Sequence, residues 1–172
     1  NHYVSVGTTD SNGLLFTTDL PSGTWKFRAS LKHTNQYVTS GPALITFQTS
    51  EFVVHVKKYD GSDFAGIKAY YNDYGNHYLS MGKTDASGNA SIELFPGNYR
   101  FKAYKDHTQQ TGYLEVATSG ASGTIDFQTA LFIVHVKKAD GSDYPGIKAS
   151  FNDYGNHYLS MGNTDASGEA SI

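Results

Sequence analysis

Apolar and polar residues alternate with a period of two along most of this chain. In Phe52-Val53-Val54-His55-Val56-Lys57, the residues Phe52, Val54 and Val56 share one face; Val53, His55 and Lys57 share the other. Alternation in a β-branched run predicts a half-buried strand. The same pattern predicts further strands at Gly66–Tyr71, His77–Lys83, Ala90–Leu94, Tyr99–Ala103, Tyr113–Val116 and Ile125–Gln128. In the third of the seven, Tyr78 and Ser80 oppose His77, Leu79 and Met81. In the fifth, Tyr99, Phe101 and Ala103 oppose Arg100 and Lys102, as expected of a sheet with one face in water. Helical periodicity appears nowhere.

Turn chemistry separates these runs. Asp60-Gly61-Ser62-Asp63 and Asn72-Asp73-Tyr74-Gly75 carry residues that tolerate positive φ or bond their own backbone. Asp85-Ala86-Ser87-Gly88 reads as a hairpin loop with Gly88 in the left-handed position. Pro96-Gly97 fits a type II turn with Gly97 at positive φ. Lys105 to Thr111 reads as a polar loop, and Gly120 to Gly123 as a further turn.

The whole pattern repeats. Val54 to Ile92 returns as Val134 to Ile172, at an offset of 80 residues. Asn1–Gly13 (NHYVSVGTTDSNG) matches Asn76–Gly88 (NHYLSMGKTDASG), and Phe47-Gln48-Thr49 matches Phe127-Gln128-Thr129. A fixed period marks a repeat array. The division expected is residues 1–49 as the C-terminal part of a first repeat, 50–129 as a complete repeat, and 130–172 as the N-terminal part of a third. The fold class expected is all-β: tandem seven-stranded antiparallel Ig-like β-sandwiches. The seam IDFQTALFIVHVKK holds no Gly or Pro, so a stiff connection and a rod are expected. Seven strand residues span about 24 Å, giving roughly 35–40 Å of rod per unit with its turns. The first copy is shorter, with 19 residues between Phe27 and Phe47 against 25 between Phe101 and Phe127. The missing residues are expected in the loop and the penultimate strand. Trp25 takes the place of Tyr99 and is expected in the core. The chain starts and stops within repeats, so it reads as an excerpt of something longer. Its ends are expected to expose unpaired strands, which invite head-to-tail completion by strand addition.

Composition narrows the functions. The net charge of −3 and pI near 6.1 give no electrostatic case for nucleic acid. No apolar run reaches the length of a membrane span in this segment. Cysteine is absent, which excludes disulfides and thiol chemistry. Many Gly, Tyr, Ser and Thr residues lean toward an extracellular protein. No serine stands in a G-x-S-x-G context and carboxylates sit mostly in turns, so an enzyme is not expected.

The sharpest candidate chemistry is aromatic. Tyr70, Tyr71, Tyr74 and Tyr78 cluster around Asn72, Asp73, Asn76 and His77. Rings beside amides and carboxylates can stack on sugars and bond their hydroxyls. Tyr74, Tyr78, Asn76 and His77, with Tyr154 and Tyr158 in the next copy, are the candidate ligand-binding residues. The competing reading makes them core and inter-unit packing, since Tyr70 and Tyr71 become Ser150 and Phe151. His55 and His135 read as surface histidines, with metal ligation the alternative. His2, His77 and His157 have no second histidine at ligand spacing. No cofactor is expected; calcium is the one candidate, at Asp60-x-Ser62-Asp63 and Asp85-x-Ser87-Gly88.

These units resemble the prealbumin-like (transthyretin-like) sandwich repeats of bacterial surface proteins, including the Cna B-type and carboxypeptidase-regulatory-like groups. The residues carrying the likeness are Lys58, Asp60, Gly66, Thr84-Asp85, Gly88 and Pro96-Gly97-Asn98-Tyr99-Arg100-Phe101-Lys102-Ala103. The resemblance implies an extracellular stalk, adhesin or filament on a cell surface. Its partners would be neighbouring repeats or other copies of itself. The alternative is a carbohydrate-binding or adhesive module repeated for avidity on glycans. Many Cna B-type domains crosslink a first-strand Lys to a last-strand Asn beside a buried acid. Lys58 and Lys138 match the Lys, and Lys58 counts onto the face of Val54 and Val56. Ala103 stands near the acid's place and no Asn stands in the last strand, so no isopeptide bond is expected.

Overall fold

A computed structural model of the chain describes residues 3–17, 20–72, 77–152 and 157–172. Every helix or strand element among the described residues is a strand. In chain order these are β1 (Trp25–Leu31), β2 (Thr34–Ser40), β3 (Ser50–Lys57), β4 (Lys68–Asn72), β5 (Tyr78–Lys83), β6 (Asn89–Leu94) and β7 (Gly97–Lys105). Then follow β8 (Thr108–Val116), β9 (Ser122–Gln128), β10 (Ile133–His135), β11 (Lys148–Asn152), β12 (Tyr158–Asn163) and β13 (Glu169–Ser171).

Strands β3 to β9 form two sheets, ordered β6-β3-β9 and β5-β4-β7-β8. The inward residues of both sheets make one core. Phe52, Val54 and Val56 of β3, Ala69 and Tyr71 of β4, Ile92 and Leu94 of β6, Tyr99 and Phe101 of β7 and Phe127 of β9 are buried together. The Phe52 ring meets Tyr99 edge-on at 5.1 Å and stacks on Phe101 at 5.8 Å between centroids.

The expectation of an antiparallel sandwich needs one correction. β3 and β9 run parallel, with Glu51 opposite Ser122 and Lys57 opposite Gln128. Residue alternation sets which face a side chain takes, not which way a strand runs. β9 reaches β3 by crossing from the other sheet, so no hairpin fixes the pair as antiparallel. The result is directional. The chain enters the sandwich at the pole where β3 starts and leaves at the opposite pole, where β9 ends.

Several local expectations also change. Lys105 to Thr111 is no loop: β7 runs to Lys105, β8 starts at Thr108, and Asp106-His107 is the whole turn. Both turn residues have positive φ (45° and 66°), the type I′ geometry that fits strand twist. β1 and β2 meet through the same two-residue turn, Lys32-His33 (46° and 64°). The first copy therefore loses nothing in this turn; its shortfall lies in β2 and in the stretch before Phe47. Gly97 is not in the left-handed region. A Cβ there would meet the Tyr99 ring at 3.1 Å, so close packing explains the glycine. Lys58 lies one residue past β3 and is exposed, off the face of Val54 and Val56. Residues 129–132 separate β9 from β10, so the seam is short but not one continuous strand.

Outside β3–β9 the same strands recur unaccompanied. β1 pairs with β2, β10 with β13 and β11 with β12. Trp25, expected in the core, is 41% exposed where Tyr99 is 3%. No sheet lies across from it among the described residues. Its indole N–H still donates to the Pro21 carbonyl (3.0 Å), as the Tyr99 hydroxyl donates to the Phe95 carbonyl (2.9 Å).

Candidate functional site

The outward face of the β5-β4-β7-β8 sheet carries Tyr70 and Tyr78 of the aromatic residues singled out by sequence. Alternation in β4 turns Tyr71 inward, and its hydroxyl donates to the Lys32 carbonyl at 2.9 Å. It turns Tyr70 outward, directly opposite Lys102 of β7. The Lys102 ammonium lies 4.2 Å from the Tyr78 ring centroid and 4.9 Å from that of Tyr70. Beside them Arg100 lies over Tyr113 and Lys68 over Tyr104, at 5.8 and 5.9 Å. The first copy repeats the device: Arg28 lies over Tyr3 at 4.7 Å and Lys26 over Tyr37 at 4.9 Å. Tyr3 and Tyr78 hold the same place in the NHY motif. Each exposed cation–ring pair contributes about 0.5–1 kcal/mol.

Of the six candidate ligand-binding residues, Tyr74, Asn76 and Tyr154 lie outside the described residues, as do Asp73, Asp153 and His2. His77 is exposed, Tyr78 faces Lys102, and Tyr158 is 77% exposed. The cations that sit on these rings escaped the sequence reading. The signal was present: W-K-F-R-A and Y-R-F-K-A place two cations on the polar face of the same strand in both copies.

A second cluster was also missed. His55 faces away from the core, as counted, but it bridges two carboxylates. Nδ1 is 2.8 Å from Asp126 Oδ1 and Nε2 is 3.0 Å from Asp63 Oδ1. The imidazole thus ties β3 to the loop after it and to β9. The hydrogen bond to Asp63 raises its pKa above the ordinary histidine value; partial burial opposes this, and Asp126 adds to the rise. The eight-residue spacing recurs, with His135 Nε2 2.9 Å from Asp143. Two carboxylates orienting one imidazole resemble part of a catalytic array, yet no nucleophile joins them in the contacts the structure gives.

The acidic turns spend their carboxylates on backbone N–H groups. Asp85 Oδ1 accepts from the Ser87 and Asn89 amides at 2.9 and 3.0 Å. Asp10 does the same for Asn12 and Leu14, and Asp165 for Ser167 and Glu169. Asp60 accepts from the Ser62 hydroxyl and amide, and these bonds lower its pKa. Among the described residues no three His, Asp or Glu side chains gather as metal ligands would.

The fold and these clusters define an all-β sandwich protein whose recurring contacts are structural ones between strands and loops. No family model matches the chain, and no curated protein matches it. Solved structures with some likeness include the Bacillus anthracis TIE protein, at 14% identity and TM-score 0.42 over 95% of this chain and 40% of that one. A streptococcal ancillary pilin aligns at 14% identity and TM-score 0.41, over 89% of this chain and 63% of the pilin. A DUF3823 family protein from Parabacteroides merdae aligns at 14% identity and TM-score 0.40, over 74% and 80%. The chain spans less than two thirds of the first two, and a likeness at these values carries nothing about activity or partners.

Proposed function

We propose that this chain is a structural module of an extracellular rod, stalk or filament on a bacterial cell surface. The residue ranges 1–49, 50–129 and 130–172 are its successive repeats. The observation that carries the reading is the parallel pairing of β3 with β9. Parallel first and last strands put the two ends of a unit at opposite poles. Units of this kind add end to end through short seams. The likeness in sequence to prealbumin-like surface repeats supports the location, and the rod reading assigns the chain no catalysis or cofactor.

The reading extends to assembly. On β10, Val134 is 37% exposed and Phe132 just before it 66%, whereas their counterparts Val54 and Phe52 are fully buried under β7 and β9. Strands of the β7–β9 kind are the cover that this face fits. In a longer array the next stretch of the same chain supplies them; in a fibre built by strand complementation another copy does.

Electron microscopy of the native material tests the rod. Beaded rods with an axial repeat of roughly 35–40 Å per unit are the expected result. Compact particles without an axial repeat overturn it. The glycan-binding alternative draws on Tyr74, Asn76, His77, Tyr78, Tyr154 and Tyr158; a glycan array blank at millimolar ligand removes it.

A further inference from the structure

The two positive-φ turns sit at equivalent places, and both face the next unit. Each falls at the pole from which the chain leaves, and each lines a cleft shared with residues of the stretch that follows. The Lys32-His33 tip meets a cleft of about 460 Å³ lined by Tyr71, Leu79, Ser80 and Ile92. The Asp106-His107 tip lines a cleft of about 740 Å³ together with Lys68, Lys83 and Tyr104 of its own unit, closed on the far side by Phe151, Leu159, Ser160 and Ile172. These last four are the same four positions, 80 residues on.

We propose that the tip of each such hairpin is a plug, that this cleft is its socket, and that a hydroxyl at the Tyr71 position is the latch. The partner that a socket fits is the type I′ tip of another copy of this repeat. The inference rests on the rod reading and adds what makes the rod stiff.

Three observations support it. Both tips share one type I′ geometry, with both turn residues at positive φ, so each presents the same shape to the stretch that follows. At the first joint the contact is polar. The Tyr71 hydroxyl, on a buried side chain, donates to the Lys32 carbonyl at 2.9 Å. Buried Thr34 donates to the Leu31 carbonyl and takes the Phe95 amide at 3.4 Å, while Phe47 packs edge-on against Phe95. At the second joint Phe151 replaces Tyr71 and has no hydroxyl to give. There the His107 ring faces the His157 ring, with centroids 5.7 Å apart. The two joints therefore differ in the latch and share the plug.

The chain contains no cysteine, so paired spin labels can be placed cleanly. Labels on the exposed positions Thr39→Cys and Glu93→Cys report the first joint, and labels on Gln109→Cys and Glu169→Cys report the second. Electron–electron double resonance on the full chain is expected to give a narrow distance peak across the first joint and a broader one across the second. In Tyr71→Phe/Thr34→Val the narrow peak is lost, while circular dichroism stays that of the native chain. In Phe151→Tyr the second peak narrows, because the new hydroxyl reaches the Asp106 carbonyl. A first-joint peak that stays narrow in the double variant overturns the proposal, and so does a second-joint peak that Phe151→Tyr leaves unchanged. Beaded filaments with a broad native peak at the first joint overturn the latch and leave the rod standing.

Discussion

Single residues fix the turns of this protein, and they do so identically wherever the motif recurs. In Thr-Asp-x-x-Gly the aspartate caps two amides and the glycine takes a φ of 75°, 73° and 70° at Gly13, Gly88 and Gly168. The loop at Asp10 keeps this form although no strand flanks it. A Cβ at Gly88 would lie 2.5 Å from the Val56 carbonyl, a contact that backbone cannot relieve cheaply. Gly88→Ala is therefore expected to destabilise by about 1–3 kcal/mol, read as a drop in thermal midpoint. Thr84 is a second such point. Its buried hydroxyl donates to the Phe64 carbonyl (2.6 Å) and accepts the Ile67 amide (3.0 Å). Thr84→Val keeps the shape and orphans both groups, at an expected cost of about 1–3 kcal/mol by denaturant titration.

His55 adds a pH dependence at the same scale. Its folded pKa is raised, chiefly by Asp63. A raised folded value means that the protonated form is the one stabilised. The contribution is full below the unfolded histidine value and fades as pH rises through the folded one. The gap in thermal midpoint between the native chain and His55→Asn is expected to shrink from about pH 6 to about pH 9. A gap that is flat or grows over that range contradicts a charged clamp.

At the scale of elements, β3 is the strand on which both sheets depend. It is central in its own sheet, and its Phe52 ring meets both Tyr99 and Phe101 of the other. Phe52→Ala is expected to cost about 3–5 kcal/mol and to leave the sandwich largely unfolded at ordinary temperature. The outer face behaves differently. Tyr70→Ala removes one exposed cation contact and is expected to cost about 0.5–1 kcal/mol. Strand existence was legible at this scale because burial on one face forces period-two alternation. Seven strands appear where alternation placed them, within a few residues. The β7–β8 turn was not legible, because Asp-His carries no Asn-Gly signature and both flanking ends are polar. They are polar because this pole lies at the edge of the core, not because the chain loops there.

For the whole molecule the open question is what covers β10–β13. The proposal makes sedimentation of the 172-residue chain informative. Mass growing with concentration, and abolished by Phe132→Asp, is the outcome expected if other copies complete the sandwich. A chain that stays monomeric and folded at high concentration excludes complementation between copies.

The repeat, the strand faces, the Asp-x-x-Gly loops and the absence of helix were determined by the sequence, since each follows from local spacing and backbone preference. The direction of β9, the cations laid on the tyrosines, the Asp63–His55–Asp126 clamp and the Tyr71–Lys32 hydrogen bond were decided only by the tertiary structure. Each of these joins residues far apart in the chain or in neighbouring units. Alternation along one strand holds no information about which strand lies beside it, or which way that strand runs.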